Sequence, residues 1–163
     1  MPSLDRVREQ LDAVVHASRT PGLQYLALTA TGPLLEYFGG WADLADRRPM
    51  RANSTLMAYS MSKTFTAAAV LQLAEAGHVK LDDPIDRFVA FSPYGPGISL
   101  RRLLAHTAGL PNPIPLAWIH SPAVHERFDE HAALAQIVVR HRRLSAAPGT
   151  AFRYTNIGYW LLG

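Results

Sequence analysis

The chain has 163 residues, of which 48% are hydrophobic and 18% are charged, enough for one domain with a sizeable core. Its 16 Lys and Arg against 13 Asp and Glu give a formal charge of +3, and the basic clusters are short and lack interleaved aromatic residues, which argues against nucleic-acid binding. Because the sequence holds no Cys, disulfides, thiolate zinc sites and Cys nucleophiles are excluded.

The first predicted element is a helix from residue 3 to about 18, in which apolar residues recur at helical spacing and Ser3 is the N-cap. This N-terminal pattern is polar, and it is not a basic segment followed by an apolar run. We therefore expect no signal peptide, no membrane span and a cytoplasmic location.

A β-hairpin is predicted next. Residues 24–29 and 34–39 have the pattern of two strands, and a turn at Thr31-Gly32-Pro33 separates them. The polar stretch over 40–55 is expected to be irregular. A single hairpin is marginally stable, so further elements must pack on it.

Helices dominate the rest of the chain. The segment from Tyr59 to Leu73 is rich in helix formers, and Gly77 ends it. A short helical start is predicted at Pro84. Longer helices are predicted over 99–105 with Ser99 as the cap, over 129–143, and from Ile157 to Gly163. Irregular segments are predicted over 91–97, 109–122 and 147–150.

The pair Ser60 and Lys63 is the first candidate for chemistry. Lys63 is the only charged residue between Arg51 and Glu75, and the apolar residues that follow it do not keep to one helix face. The helix is therefore expected to be buried on most sides, which would lower the pKa of the lysine. Residues three apart share a helix face, so an amine made basic by burial would lie beside a hydroxyl that it can activate. The alternative is a helix with a Ser cap and a Lys that reaches to solvent.

Other reactive side chains are less suited to catalysis. Ser62 is adjacent to Lys63, and neighbouring residues on a helix do not face each other. His120, His125 and His131 are spaced five and six apart, which is not the spacing of a zinc helix, so we expect no metal site and no cofactor.

Three separated stretches together resemble a known family. They are Ser60-Met61-Ser62-Lys63, then Leu103 to Pro111 with the letters LLAHTAGLP, then Pro148-Gly149-Thr150 followed by Tyr154-Thr155-Asn156. In this order they resemble the serine β-lactamase-like superfamily, in the branch of class C β-lactamases, D,D-peptidases and related esterases. The shortened segment KLDDP at Lys80–Pro84 is also similar to a family stretch.

The resemblance implies a role for each site residue. Ser60 would be the acylated nucleophile, Lys63 its partner amine and Tyr154 the phenol that carries the proton to and from the serine. Asn156 would orient Lys63 and the substrate. Structural alternatives stay open, since Tyr154 fits a core or rim aromatic and Asn156 fits a cap for the helix that begins at Ile157. His106 would be a packed, hydrogen-bonded residue, although a Ser/His arrangement is conceivable.

The resemblance also implies an incomplete fold. The family has a third motif, Lys or His followed by Thr or Ser and Gly, which the sequence does not contain. The chain ends in the apolar run Tyr159-Trp160-Leu161-Leu162-Gly163, which we expect to be exposed and to need a partner. We therefore expect an N-terminal half of an α+β (mixed α/β), β-lactamase/transpeptidase-like fold: a single incomplete domain over 1–163, with helix and hairpin over 1–55 and a mainly helical part over 56–163.

Two functions follow from these expectations. The first is a serine hydrolase that forms an acyl-enzyme on an ester, β-lactam or peptide-like amide, present here as an N-terminal fragment that we expect to be inactive alone. The alternative is a non-catalytic fragment, or a binding or self-association module, of the same fold. The expected partners are a small-molecule substrate and either the missing C-terminal half or another copy of the chain. The resemblance also implies an alternative to the predicted cytoplasmic location, because members of the family are often exported.

Overall fold

The computed structural model of the chain describes residues 3–17, 19–113 and 120–163. The predicted irregular segment over 109–122 therefore lies partly outside the described residues. The chain forms two compact units, Met1–Met57 and Ala58–Gly163.

The first unit opens with helix α1, Leu4–His16. Ser3 caps it as predicted, because its side chain accepts a hydrogen bond from the Arg6 N–H at 3.3 Å. One face of α1 packs on the sheet of the same unit, where the Tyr37 hydroxyl donates to Asp12 Oδ1 at 2.8 Å. This bond ties the helix to the second strand.

A three-stranded antiparallel sheet, in the order β1-β2-β3, forms the rest of the first unit. Strand β1 is Gly22–Thr29, β2 is Gly32–Asp43 and β3 is Arg48–Pro49. The predicted hairpin is present, with Gly22 opposite Gly40 and Thr29 opposite Gly32. The irregular segment predicted over 40–55 is partly wrong, since β2 continues to Asp43 and pairs with β3. A polar stretch can pair as a strand when a neighbouring backbone satisfies its N–H and C=O groups.

The second unit is mainly helical. Its α-helices are α2 (Ser62–Glu75), α3 (Leu100–Leu104), α4 (Glu130–Arg140) and α5 (Asn156–Leu162). Short 3₁₀ turns cover Tyr59–Met61, Ile85–Arg87 and Pro122–Arg127. Ser99 caps α3 as predicted, accepting from the Arg102 N–H at 3.4 Å. Helix α4 is shorter than predicted, because it leaves the helical conformation at His141.

The core of this unit lies where α3, α4 and α5 meet. Its fully buried side chains include Ile85, Ile98, Leu103, Leu110, Val138 and Ile157. The exposure predicted for the apolar run at the end of the chain is wrong: Leu161 is buried, and Trp160 and Leu162 pack against this core. The core therefore holds in place the short helix that begins at Asn156.

The predicted burial of α2 on most sides is also wrong. Val70 is its one buried residue, whereas Phe65 is 76% exposed and Leu71 is 49% exposed. The helix is apolar all round, but its contact with α5 covers only one face within the second unit. No helix among the described residues is long and apolar enough to cross a membrane.

Candidate active site

Ser60 is the middle residue of the 3₁₀ turn that leads directly into helix α2. The residue before it, Tyr59, has a φ of 45°, in the left-handed region that is unfavourable for a bulky side chain. This turn leaves Ser60 exposed, on the same side as the side chain of Lys63. Ser62 is turned away from that group, because its hydroxyl donates to the carbonyl of Tyr59.

Lys63 joins the first motif to the last. Its Nζ donates to Ser60 Oγ at 3.2 Å and to Asn156 Oδ1 at 2.8 Å. The expectation of a deeply buried amine is wrong: Lys63 is only partly buried, because α2 is open on several faces. Two polar acceptors therefore define the position of Nζ, which also lies 5.1 Å from the centre of the Tyr154 ring.

Tyr154 completes the contact with the serine. Its hydroxyl lies 2.6 Å from Ser60 Oγ and donates to Asn156 Oδ1 at 3.2 Å. A neutral phenol has one proton, so when Tyr154 donates to Asn156 the Ser60 hydroxyl is the donor towards Tyr154. The neighbouring Lys63 ammonium, together with the hydrogen bond to Ser60, lowers the pKa of the Tyr154 phenol, although partial burial opposes the shift. The lowered pKa favours the phenolate form of Tyr154, and in that form the phenolate oxygen can accept the serine proton.

Asn156 is the first residue of α5 and not its cap. The N-cap is Thr155, whose hydroxyl donates instead to the Pro111 carbonyl at 2.8 Å. The interpretation of Asn156 as a simple helix cap is therefore wrong, because its side-chain oxygen accepts from Lys63 and Tyr154. The buried start of α5 carries this carboxamide to the end of the lysine side chain.

His106 is packed and hydrogen-bonded, as predicted. Its Nδ1 accepts a hydrogen bond from the N–H of Thr155 at 3.3 Å. The centre of its ring lies 4.6 Å from the ring centre of Tyr154 and 5.0 Å from that of Tyr159. Burial and the charge of Lys63 lower the pKa of His106, which favours the neutral ring. The ring therefore supports Tyr154 from the side and does not contact Ser60 through any hydrogen bond among the described residues.

The structure brings together all four side chains that sequence reasoning selected: Ser60, Lys63, Tyr154 and Asn156. Their catalytic roles stay predictions. Sequence reasoning missed Asn112, whose side-chain oxygen accepts from Asn156, and the strained backbone at Tyr59. Neither has a spacing signal, since Asn112 reaches Asn156 across 44 positions of the chain.

The histidines outside this site have other contacts. His120 Nε2 and His125 Nδ1 lie 2.9 Å apart, and His131 packs edge-on against Phe91. Over the described ranges no three His, Cys, Asp or Glu side chains cluster closely enough to hold a metal ion.

The model of the β-lactamase family matches residues 6–163, which include every part of the site described above. The chain belongs to the β-lactamase family. Penicillin-binding protein 4* of Bacillus subtilis (strain 168) is 34% identical to it over 129 residues, which are 76% of this chain and 27% of that protein. Two solved structures are also similar. SurE with D-Leu has a TM-score of 0.80 and 29% identity, covering 98% of this chain and 35% of SurE. D-amino acid amidase from Ochrobactrum anthropi SV3, complexed with L-phenylalanine, has a TM-score of 0.80 and 27% identity, covering 98% of this chain and 43% of the amidase.

Membership of the β-lactamase family confirms both the resemblance and the mixed α/β fold class. The family is one of serine hydrolases, and the similar proteins include a penicillin-binding protein and an amidase. The chain spans less than half the length of each of these proteins, from 27% to 43%. The activity of a whole family member is therefore a proposal for this chain.

Proposed function

We propose that the chain carries the nucleophile and the base of a serine hydrolase, which is acylated on Ser60 and releases the acyl group to water. The proposed substrate is a carboxylic ester, a β-lactam or a peptide-like amide. The observation that carries the proposal is the contact of Ser60 Oγ with two groups at once, the Tyr154 hydroxyl at 2.6 Å and the Lys63 ammonium at 3.2 Å.

In the proposed reaction Tyr154 starts as the phenolate, and Ser60 Oγ attacks the carbonyl carbon while its proton passes to the phenolate oxygen. Tyr154 then gives the proton to the leaving alcohol or amine, and the acyl group remains on Ser60. In the second half-reaction water attacks the acyl carbon and gives its proton to Tyr154; the bond to Ser60 Oγ then breaks and Tyr154 returns the proton to that oxygen. The Lys63 ammonium stabilises the phenolate, and Asn156 holds the ammonium in place through its 2.8 Å bond.

Covalent labelling tests the proposed nucleophile. A fluorophosphonate carries its own leaving group, so it reports activation of Ser60 without a requirement for full turnover. We expect one phosphonyl group per chain, located on Ser60 by mass spectrometry, and none on the Ser60→Ala variant. Ser62→Ala is the matched control and should be labelled at the wild-type rate. Labelling that persists in Ser60→Ala, or a wild-type chain that stays unlabelled, would contradict the proposal.

A second candidate is a non-catalytic or self-associating module of the same fold. In this case the 163 residues hold Ser60, Lys63 and Tyr154 but no Lys or His followed by Thr or Ser and Gly, the motif that the family resemblance assigns to the second oxyanion N–H. The proposed partner is then either a chain that supplies that motif or another copy. Steady-state ester hydrolysis by the 163-residue chain decides between the candidates. Rapid turnover that is lost in Lys63→Ala would rule out the module.

A further inference from the structure

Asn112 makes two hydrogen bonds to one residue of the site. Its Oδ1 accepts the backbone N–H of Asn156 at 2.9 Å and the side-chain Nδ2–H of the same residue at 3.3 Å. The backbone N–H lies at the start of α5, where a helix leaves its first donors without partners and where the N-cap Thr155 makes no side-chain bond. Asn112 therefore acts as a cap for α5 that is contributed from a distant loop.

These two bonds determine which way the carboxamide of Asn156 points. A backbone N–H can only donate, so Asn112 must present its oxygen and not its NH₂ group to Asn156. The same oxygen then accepts from the NH₂ group of Asn156, which places the oxygen of Asn156 on the opposite side, towards Lys63. The reversed carboxamide would place an NH₂ group against an ammonium, with no acceptor between them.

The orientation extends to the nucleophile. Asn156 Oδ1 has two lone pairs, and these accept from Lys63 at 2.8 Å and from Tyr154 at 3.2 Å. With its own proton directed at Asn156, the Tyr154 oxygen is available to accept from Ser60. The donor and acceptor order of the whole site thus follows from one backbone N–H at the start of α5.

We infer that Asn112 is a positioning residue of this site: by accepting both N–H groups of Asn156, it holds the Asn156 oxygen against Lys63 and so keeps the ammonium beside Ser60. The inference rests on the proposed function of Ser60. It adds to that function a residue that touches neither Ser60 nor Lys63 through a hydrogen bond in the described part of the chain.

Three variants of the 163-residue chain test this role. Asn112→Leu keeps the side-chain size and removes the acceptor, whereas Asn112→Asp keeps an oxygen in the same position. Thr155→Val is the matched control, because it removes the buried bond to Pro111 O at the same loop–helix junction and leaves the bonds of Asn156 in place. Fluorophosphonate labelling of Ser60 gives the rate, and thermal unfolding gives the stability of each variant.

We expect Asn112→Leu to label about tenfold more slowly, because the Asn156 oxygen would lose its fixed orientation and its hydrogen bond to the charged Lys63 would be weakened. Asn112→Asp should label at a rate much nearer that of the wild type, and Thr155→Val should unfold at a lower temperature without slower labelling. Wild-type labelling by Asn112→Leu would overturn the inference. Equal slowing by Thr155→Val would also overturn it, because the effect would then be one of junction stability.

A second readout does not depend on reactivity. The sequence holds three Asn residues, so selective ¹⁵N-asparagine labelling gives few signals, and hydrogen exchange at the backbone and Nδ2 of Asn156 can be followed. Both groups should exchange faster in Asn112→Leu and at near wild-type rates in Asn112→Asp. Unchanged exchange in Asn112→Leu would overturn the inference. An unlabelled wild-type Ser60 would count against the proposed function alone, and the exchange rates would then decide the role of Asn112.

Discussion

Tyr94 provides a quantitative test of the core of the second unit. Its ring belongs to that core and is only 8% exposed, and its hydroxyl donates to the His141 carbonyl at 3.2 Å. Burial raises the pKa of Tyr94 from 10.0 to about 12, because the phenolate loses its hydration. In the unfolded chain the phenol ionises near pH 10.

The raised pKa makes stability depend on pH in a defined direction. Below pH 10 the phenol is protonated in both the folded and the unfolded chain, and its stabilising contribution to the free energy of unfolding is fully present. Between pH 10 and 12 the unfolded chain loses the proton first, so the free energy of unfolding falls as pH rises. At about 1.4 kcal/mol per pH unit, Tyr94 contributes a loss of roughly 2 to 3 kcal/mol over this interval.

The substitution Tyr94→Phe should therefore have opposite effects at the two ends of the pH range. At pH 8 it removes the bond to His141 and costs about 1 kcal/mol. At pH 12 the variant should be the more stable protein by roughly 1 to 2 kcal/mol, because it has no phenol to ionise. Urea unfolding followed by circular dichroism at pH 8, 10, 11 and 12 measures both effects. If the two proteins lose stability in parallel between pH 10 and 12, the reasoning is wrong.

Three further predictions concern the site and its support. Tyr154→Phe should slow phosphonylation of Ser60 by a factor of about 10² to 10⁴, the usual contribution of a general base. In the wild type the labelling rate should rise with pH and reach a plateau below the ordinary pKa of tyrosine, because the pKa of Tyr154 is lowered. Gly109→Ala should lower the free energy of unfolding by at least about 2 kcal/mol, because its φ is 72° and the new Cβ would lie 2.2 Å from the carbonyl oxygen of Ala146. Because the pKa of His106 is lowered, the neutral ring contributes fully to the free energy of unfolding above about pH 6.5, and that free energy should fall as the pH decreases further. The His106→Asn variant should show a smaller fall, and asparagine is chosen because it tolerates the φ of 55° at this position.

Each of these predictions has its own control. For Tyr154, unfolding curves must show that the Phe variant is folded, and a wild-type labelling rate in that variant would contradict the proposed base. For Gly109, the matched substitution is Gly77→Ala, whose φ is 76° but whose new Cβ has no neighbour within 4 Å. Equal losses at the two glycines would show that Ala146 plays no part. For His106, parallel acid curves for wild type and variant would contradict the assigned pKa shift.

Several features of the fold could be predicted because their cause is local. Ser3 and Ser99 cap their helices through hydrogen bonds to N–H groups three residues later, and the hairpin follows from two strands on either side of a Gly turn. The contact of Ser60 with Lys63 also has a local cause, because residues three positions apart on a helix lie on the same face. The place of Tyr154 and Asn156 in the site was predicted from family resemblance and not from any local pattern.

Other features depended on tertiary contacts that no local pattern records. The extension of β2 and the presence of β3 depend on backbone pairing across the turn at residues 44–47. The exposure of Phe65 and the burial of Leu161 both depend on which helix faces meet in the second unit, because amino-acid composition alone does not say which apolar side chain finds a partner.

The sequence by itself determined the local parts of the site, a hydroxyl and an amine one helical turn apart, because both lie on one continuous segment of backbone. Only the tertiary structure decided that a phenol and a carboxamide some 90 positions later meet that pair, and that Asn112 orients the carboxamide. These contacts depend on the core of the second unit, where Val70 of α2 is buried together with Ile157 and Leu161 of α5, because that shared burial holds the two distant segments side by side.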